Sequence, residues 1–315
     1  MPIRRLILIV IALSWSFSLA PFCMADDDDK PTPAVTDATA HYGLFGWLDH
    51  RSKYGQDWFP ELFRVDETDV SNELRFDWQH LEGKNVLNNQ VGVQVEKAFG
   101  LLTLEIQAPY VITGTGPAGL ADDGGPAGGG TGISRAKGMG TVQINARHPL
   151  YQSVSKSGFF DNTVGFSLEV GIPSNSPVSK NTEISPRIFD DLRLGNHFSL
   201  QALFGPDWLL GPRPLGGHHS TQYGVGFAYA IEDEQLPLPH VERTIPIFEL
   251  LGEIPMNGLR TTGHNTFTGS AGVRFEFKSI AHLHPQFGVA YLFPISSSGR
   301  DELHWGILTS LVFEF

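Results

Sequence analysis

Between Val70 and Phe315 the chain returns repeatedly to one pattern, in which large apolar residues alternate with small or polar ones at a period of two. In "GFSLEVGI", Phe166, Leu168, Val170 and Ile172 alternate with Gly165, Ser167, Glu169 and Gly171; in "TVQINAR", Val142, Ile144 and Ala146 alternate with Thr141, Gln143, Asn145 and Arg147. "LTLEIQAPY", "YGVGFAYAI" and "QFGVAYLF" repeat it. Successive side chains of a strand point to opposite faces, so each segment reads as a strand with one greasy face. A soluble sandwich also alternates, but its greasy face turns inward and its outer face is rich in lysine and charged pairs. Here the second face is mostly Gly, Ser, Thr and Gln with a few charges, and the apolar face carries aromatics near its ends. That is the inverted pattern of a transmembrane barrel, apolar outside with aromatic girdles and polar inside.

The two ends of the chain fit an exported barrel. Residues 1–25 set Arg4 and Arg5 before an apolar core that starts at Leu6, and finish on small residues, which is the layout of a cleaved signal peptide. Phe22 precedes Cys23 where a lipoprotein signal needs a small residue. With the leader goes the single cysteine, so no internal disulfide is expected in the exported chain. The formal net charge of −12 argues against nucleic acid as a partner. No later stretch has 18 consecutive apolar residues, so a membrane crossing requires a closed barrel.

Three regions follow: the signal peptide at 1–25, a segment at 26–66, and a barrel at 67–315. The middle region begins with the acidic, Pro-bearing "DDDDKPTPAVTDATA", expected to be disordered. Its second part, 41–66, is rich in aromatics without clean alternation. It is expected either to lie on the periplasmic rim or to enter the barrel.

The expected architecture is all-β, an antiparallel up-and-down transmembrane barrel of about twelve strands. They are placed near 68–79, 87–98, 101–112, 137–149, 160–172, 184–193, 196–206, 219–231, 242–252, 266–277, 281–293 and 303–315. With Phe315 in the periplasm, long and short connections alternate as single-chain bacterial barrels require, and the strand number is even. The weakest strand is "EISPRIFDDL" at 184–193, which contains Pro186 and little alternation. Without it the count becomes odd and the topology fails.

At this level the chain resembles bacterial outer-membrane β-barrel proteins. More narrowly, 70–315 looks like the "MetA-pathway of phenol degradation" family of transporter-type barrels. The likeness rests on "APY" before a Gly-rich loop, on "KGMGTVQINARHPL" (with Thr141 where that family often has Asp), on "PIFELLGEIP" with its strand-centre Glu249, and on the terminal "SLVFEF". The resemblance implies residence in the cell outer membrane among its lipid, and passage of small solutes, with hydrophobic or aromatic compounds as the family's cargo. It also implies that Phe313 and Phe315 form the signal read by the barrel-insertion machinery.

The polar parity of the strands gives a lumen-lining set: Glu73, Arg75, Asp77, Gln90, Gln94, Glu96, Glu105, Gln107, Gln143, Arg147, Glu169, Gln201, Glu249, Arg274, Glu276 and His284. Acids outnumber bases in it, so an open lumen is expected to prefer cations modestly. The competing expectation is a charge-paired interior that holds the barrel closed.

Three motifs invite chemistry and are set aside. "GTGPAG" at 114–119 matches a dinucleotide loop, but "LADDGGPAGGGTG" after it cannot form the helix that would hold a pyrophosphate. His218 and Ser220 pair a base with a hydroxyl, yet the parity puts both on the lumen side, away from lipid, and no Asn follows Ser220 as in outer-membrane phospholipases. His282, His284 and His304 suggest a metal, but pairing Leu292 with His304 sets His284 on the order of 26 Å from His304 along the strands. No enzyme activity, metal or cofactor is expected.

Overall fold

The computed structural model describes residues 60–65, 70–83, 87–114, 136–179, 181–210, 219–257, 265–280 and 283–315. Its strands are β1 (Glu73–Glu82), β2 (Leu87–Phe99), β3 (Leu102–Gly114), β4 (Ala136–Met139), β5 (Val142–Val154), β6 (Phe160–Ile172) and β7 (Thr182–Leu194). There follow β8 (Phe198–Leu210), β9 (His219–Tyr229), β10 (Ile231–Glu232), β11 (Val241–Asn257), β12 (Thr266–Phe277), β13 (His284–Pro294) and β14 (Trp305–Glu314). A six-residue helix, α1 (Ser297–Glu302), is capped by Ser296, whose side chain accepts from the Gly299 N–H.

Apart from β4 with β5 and β9 with β10, each strand pairs antiparallel with its chain neighbours, and β1 pairs with β2 on one side and β14 on the other, so the sheet closes on itself. β4 and β5 both pair with β3 and form one stave; β9 and β10 both pair with β11 and form another. The result is an antiparallel barrel of twelve staves. Between β4 and β5 the Gly140 N–H donates to the Pro109 carbonyl at 2.7 Å, and a Cβ there would stand 2.8 Å from Pro109 Cγ. Only glycine allows that approach.

One rim carries both chain ends of the barrel, since the Phe315 N–H donates to the Asn72 carbonyl. On this near rim the connections are tight. Phe99 faces Leu102 across a two-residue turn, and Leu194 faces Phe198, with Gly100 and Gly195 at φ +65° and +64° supplying left-handed backbone that a side chain resists. The strand ends that flank 83–86, 115–135, 173–181, 211–218, 258–265 and 295–304 lie at the far rim, and several of these intervals are longer in sequence.

The weak strand of the sequence is a full stave, β7. Pro186 has no N–H to donate, and pairing with β8 is missing over 185–187 before resuming in the same register, while pairing with β6 runs through. Its alternation was masked because Phe189 turns inward and is 1% exposed, and Asp190 sits on the outward parity, where it accepts from Asn162 at 2.5 Å. Other bounds differ modestly. β1 starts at Glu73 and reaches Glu82, while β8 and β11 run on into residues expected to be loop, to Leu210 and Asn257.

The surface is inverted relative to a water-soluble protein. Val91, Val93 and Val95 on β2, Leu104 and Ile106 on β3, and Phe166 and Leu168 on β6 are exposed. Their neighbours Gln94, Glu96, Glu105 and Ser167 are buried. Leaving such apolar side chains in water costs about 1.5–3 kcal/mol each, which no small domain's net stability sustains around twelve staves. Aromatic rings gather at both edges of the apolar belt. Trp78, His80 and Trp305 meet at the far edge, and His197 stacks on Tyr229 at the near edge. No helix among the described residues is long and apolar enough to cross a membrane.

Candidate functional site

The lumen is where the polar residues of the alternating pattern meet. Glu73, Arg75, Gln94, Glu96, Glu105, Gln143, Arg147, Gln201, Glu249, Arg274 and Glu276 are buried inside the barrel, and Asp77, Gln107, Glu169 and His284 are half-buried. The guanidinium groups pair with carboxylates: Arg147 with Glu96, Arg243 with Glu276, Arg187 with Asp207 at 3.0 Å, Arg193 with Asp161 at 3.5 Å, and Arg75 with Asp77 at 2.7 Å. A carboxylate and a guanidinium removed from water need such partners, since either alone would be strongly destabilising.

The lumen is not an open tube. Residues 60–65, "PELFRV", enter it and pack against one side of the wall. A bend at 63–65 turns three successive N–H groups, of Phe63, Arg64 and Val65, onto one oxygen of Glu249 at 3.1, 2.7 and 3.0 Å. The other Glu249 oxygen accepts from Ser270 at 2.5 Å. Convergent backbone N–H groups form an anion-binding concavity, and hydrogen bonds to an ionised acceptor are about twice as strong as neutral ones. Glu249 is 0% exposed, so its charge is met by these donors in place of water.

Wall side chains also hold the segment's carbonyls: Gln201 donates to Pro60 at 3.1 Å, Arg274 to Leu62 at 3.2 Å, and Arg75 to Phe63 at 3.3 Å. Glu61 lies between Arg75 and Arg274 and pairs with both. The Arg274 guanidinium also lies 5.2 Å from the centroid of the Phe63 ring, within cation–π range.

The apolar side chains of the segment enter seats made by absence. A Cβ on Gly226 would fall 2.0 Å from Leu62 Cδ1, and one on Gly288 would fall 2.6 Å from Phe63 Cε1. Val65 lies against Gly224 at 3.3 Å from its would-be Cβ. Around these seats Leu203, Ile245, Ile247, Leu251, Leu292 and Leu308 form one buried cluster with Leu62, Phe63 and Val65.

Opposite the segment a polar crevice of about 80 Å³ remains. It is lined by Gln79, Gln90, Gln94, Gln107 and Gln222, by Asp77, Glu105 and Glu169, and by Arg75 and Arg187, with Phe63 and Arg64 of the segment forming its other side. Glu169 accepts from Gln143, and Glu105 accepts from Asn145.

Ser220 faces inward and reaches Asp207 at 3.5 Å, while His218 lies outside the described residues. His282 and all of "GTGPAG" after Gly114 also lie outside them. The final hairpin differs from expectation by two residues: Leu292 faces Gly306, not His304. α1 within the connection makes it longer than a simple loop. No group of three metal-ligating side chains occurs among the described residues.

A closed antiparallel barrel of twelve staves with an apolar outer belt and a charged lumen defines a membrane-spanning β-barrel. No family model matches the chain, so the narrower phenol-degradation resemblance finds no support there, and no curated protein matches it either. Among solved structures, an outer membrane channel from Pseudomonas putida F1 is similar with a TM-score of 0.50 at 10% identity, over 82% of this chain and 99% of that one. The NanC porin gives 0.46 at 9% identity over 77% of this chain and 98% of that one, and the KdgM porin 0.39 at 11% identity over 78% and 98%. At such identity the likeness to the Pseudomonas channel is one of fold.

Proposed function

We propose that the protein is a passive outer-membrane channel for small polar solutes, with the near rim in the periplasm and the far rim outside. The observation that carries this reading is the polar crevice between residues 60–65 and the opposite wall, set within a barrel whose outside suits lipid. A lumen built only to be filled would have no use for a gap lined by polar side chains beside a seated segment.

Glutamines supply both donors and acceptors at the crevice, which suits hydroxyl, amide or ammonium groups on a solute. The hydrophobic or aromatic cargo implied by the family resemblance would meet only Phe63, Leu203 and Leu308 as apolar lining. Carboxylates exceed guanidiniums inside the barrel, so the channel should favour cations. We assign it no catalytic step.

The test is conductance of the purified full chain in planar bilayers under a KCl gradient. Discrete conductance with a reversal potential on the cation-selective side is the expected result. A barrel that inserts without conducting would instead be a structural or interaction barrel, and the channel reading would be abandoned.

A further inference from the structure

The seat occupied by residues 60–65 is made by the wall and not by the segment. Glu249, Ser270, Arg274, Arg75 and Gln201 project from strands whose own ladders fix them, and Gly224, Gly226 and Gly288 leave hollows at fixed places along β9 and β13. What the wall reads is peptide chemistry. It offers a carboxylate to three successive backbone N–H groups, amide and guanidinium donors to three backbone carbonyls, two guanidiniums to an acidic side chain, and two hollows to the large apolar residues that follow it. Main-chain bonds of this kind give affinity and the side-chain hollows give selectivity, as in other peptide-recognition modes.

We propose that this half of the lumen is a peptide-binding site. Its resident ligand is the chain's own segment 60–65, and it accepts a short peptide of the same chemistry, an acidic residue followed by two large apolar ones, supplied from outside the chain. The site's effect on flow rests on the channel reading: with the seat filled, the lumen is reduced to the polar crevice, and with it empty the lumen widens.

The test uses the full chain with Glu61→Ala and Leu62→Ala, which weaken the resident segment and leave every wall residue in place. A fluorescent hexapeptide Pro-Glu-Leu-Phe-Arg-Val is added in detergent at up to about millimolar concentration, the effective concentration that a short linker supplies to a tethered segment. Anisotropy should rise saturably with this peptide and stay flat with a scrambled one. Adding Glu249→Gln, which keeps the shape of the side chain, or Gly226→Val, which fills the Leu62 hollow from the wall, should weaken binding at least tenfold. Heat-shifted gel mobility confirms that each variant remains a barrel.

In bilayers the double variant should conduct more than wild type, and the peptide should lower that conductance again. Equal binding of scrambled peptide, or binding untouched by both wall variants, would overturn the site. Conductance without peptide binding would sink the site and leave the channel standing. Peptide binding with no conductance in any variant would sink the channel and leave the site.

Discussion

The two halves of the lumen wall differ in one respect: only one of them carries an extended apolar patch. From β8 through β13 to β1 the inward positions include Ala228, Ala230, Ile245, Ile247, Leu251, Ala290 and Leu292, with glycines among them and Glu249 at the centre. From β2 to β7 they include Gln90, Gln94, Glu96, Thr103, Glu105, Gln143, Asn145, Arg147, Ser167 and Arg187, with Val111 and Phe189 as apolar exceptions. The first half carries an apolar patch set among polar inward residues such as Gln201, Ser270, Arg274 and Arg75, and residues 60–65 cover that patch. The second half is built to face water or a solute. One barrel thus uses the same period-two pattern for two purposes, and only the chemistry of the minority face separates them.

That contrast can be broken from either side. The largest effect is expected from Glu249→Ala, which removes the acceptor for three N–H donors and Ser270. At about 1.5–3 kcal/mol for each hydrogen bond to a charged group, the seated segment should dissociate, and conductance should rise several-fold in planar bilayers. Leu62→Ala comes next, since emptying a well-packed site costs about 2–5 kcal/mol; the same recording should show frequent openings to the wide state where wild type shows few.

A change in the polar half should leave the segment seated and alter selectivity alone. With Glu105→Gln and Glu169→Gln together, the reversal potential in a KCl gradient should move toward zero while the conductance of the wide state stays as it was. A loss of segment docking in that variant would erase the division between the halves.

The smallest effect belongs to the near-rim turn, outside both halves. There the hydrogen bond from Lys278, aided by its charge, holds the solvent-facing Asp233 carboxyl below the usual carboxylate range. A carboxyl whose folded value is depressed adds stability above its unfolded value and loses it as pH falls through the folded one. Lys278→Ala should flatten the stability profile on the acid side of the ordinary aspartate range, read by gel-shift temperature at several pH values, with conductance unchanged.

Much of this barrel was legible because lipid on one side and a polar lumen on the other enforce strict alternation. β6 and β12 have the bounds that the pattern gave, Phe160–Ile172 and Thr266–Phe277. β7 was weak in the pattern because Pro186, Phe189 and Asp190 each break a local rule, and the neighbouring ladders override all three. The seat was the part that alternation conceals. Gly226 and Gly288 read as small lumen residues, and nothing in their own strands says that Leu62 and Phe63, more than 150 residues away, fill the space above them. A usable signal did exist: "ELF" is the one acidic and apolar triplet just before the first stave, and the inward faces of β9, β11 and β13 are too apolar for a water-filled lumen.

Whether the apolar outside of this barrel meets lipid is decided by the heat-modifiable gel mobility of envelope-extracted protein, with the outer membrane separated beforehand. The expected result is a band in the outer-membrane fraction that runs faster unboiled than boiled. An unshifted band in the soluble fraction would contradict it, because the exposed belt would then have to be buried against something other than lipid.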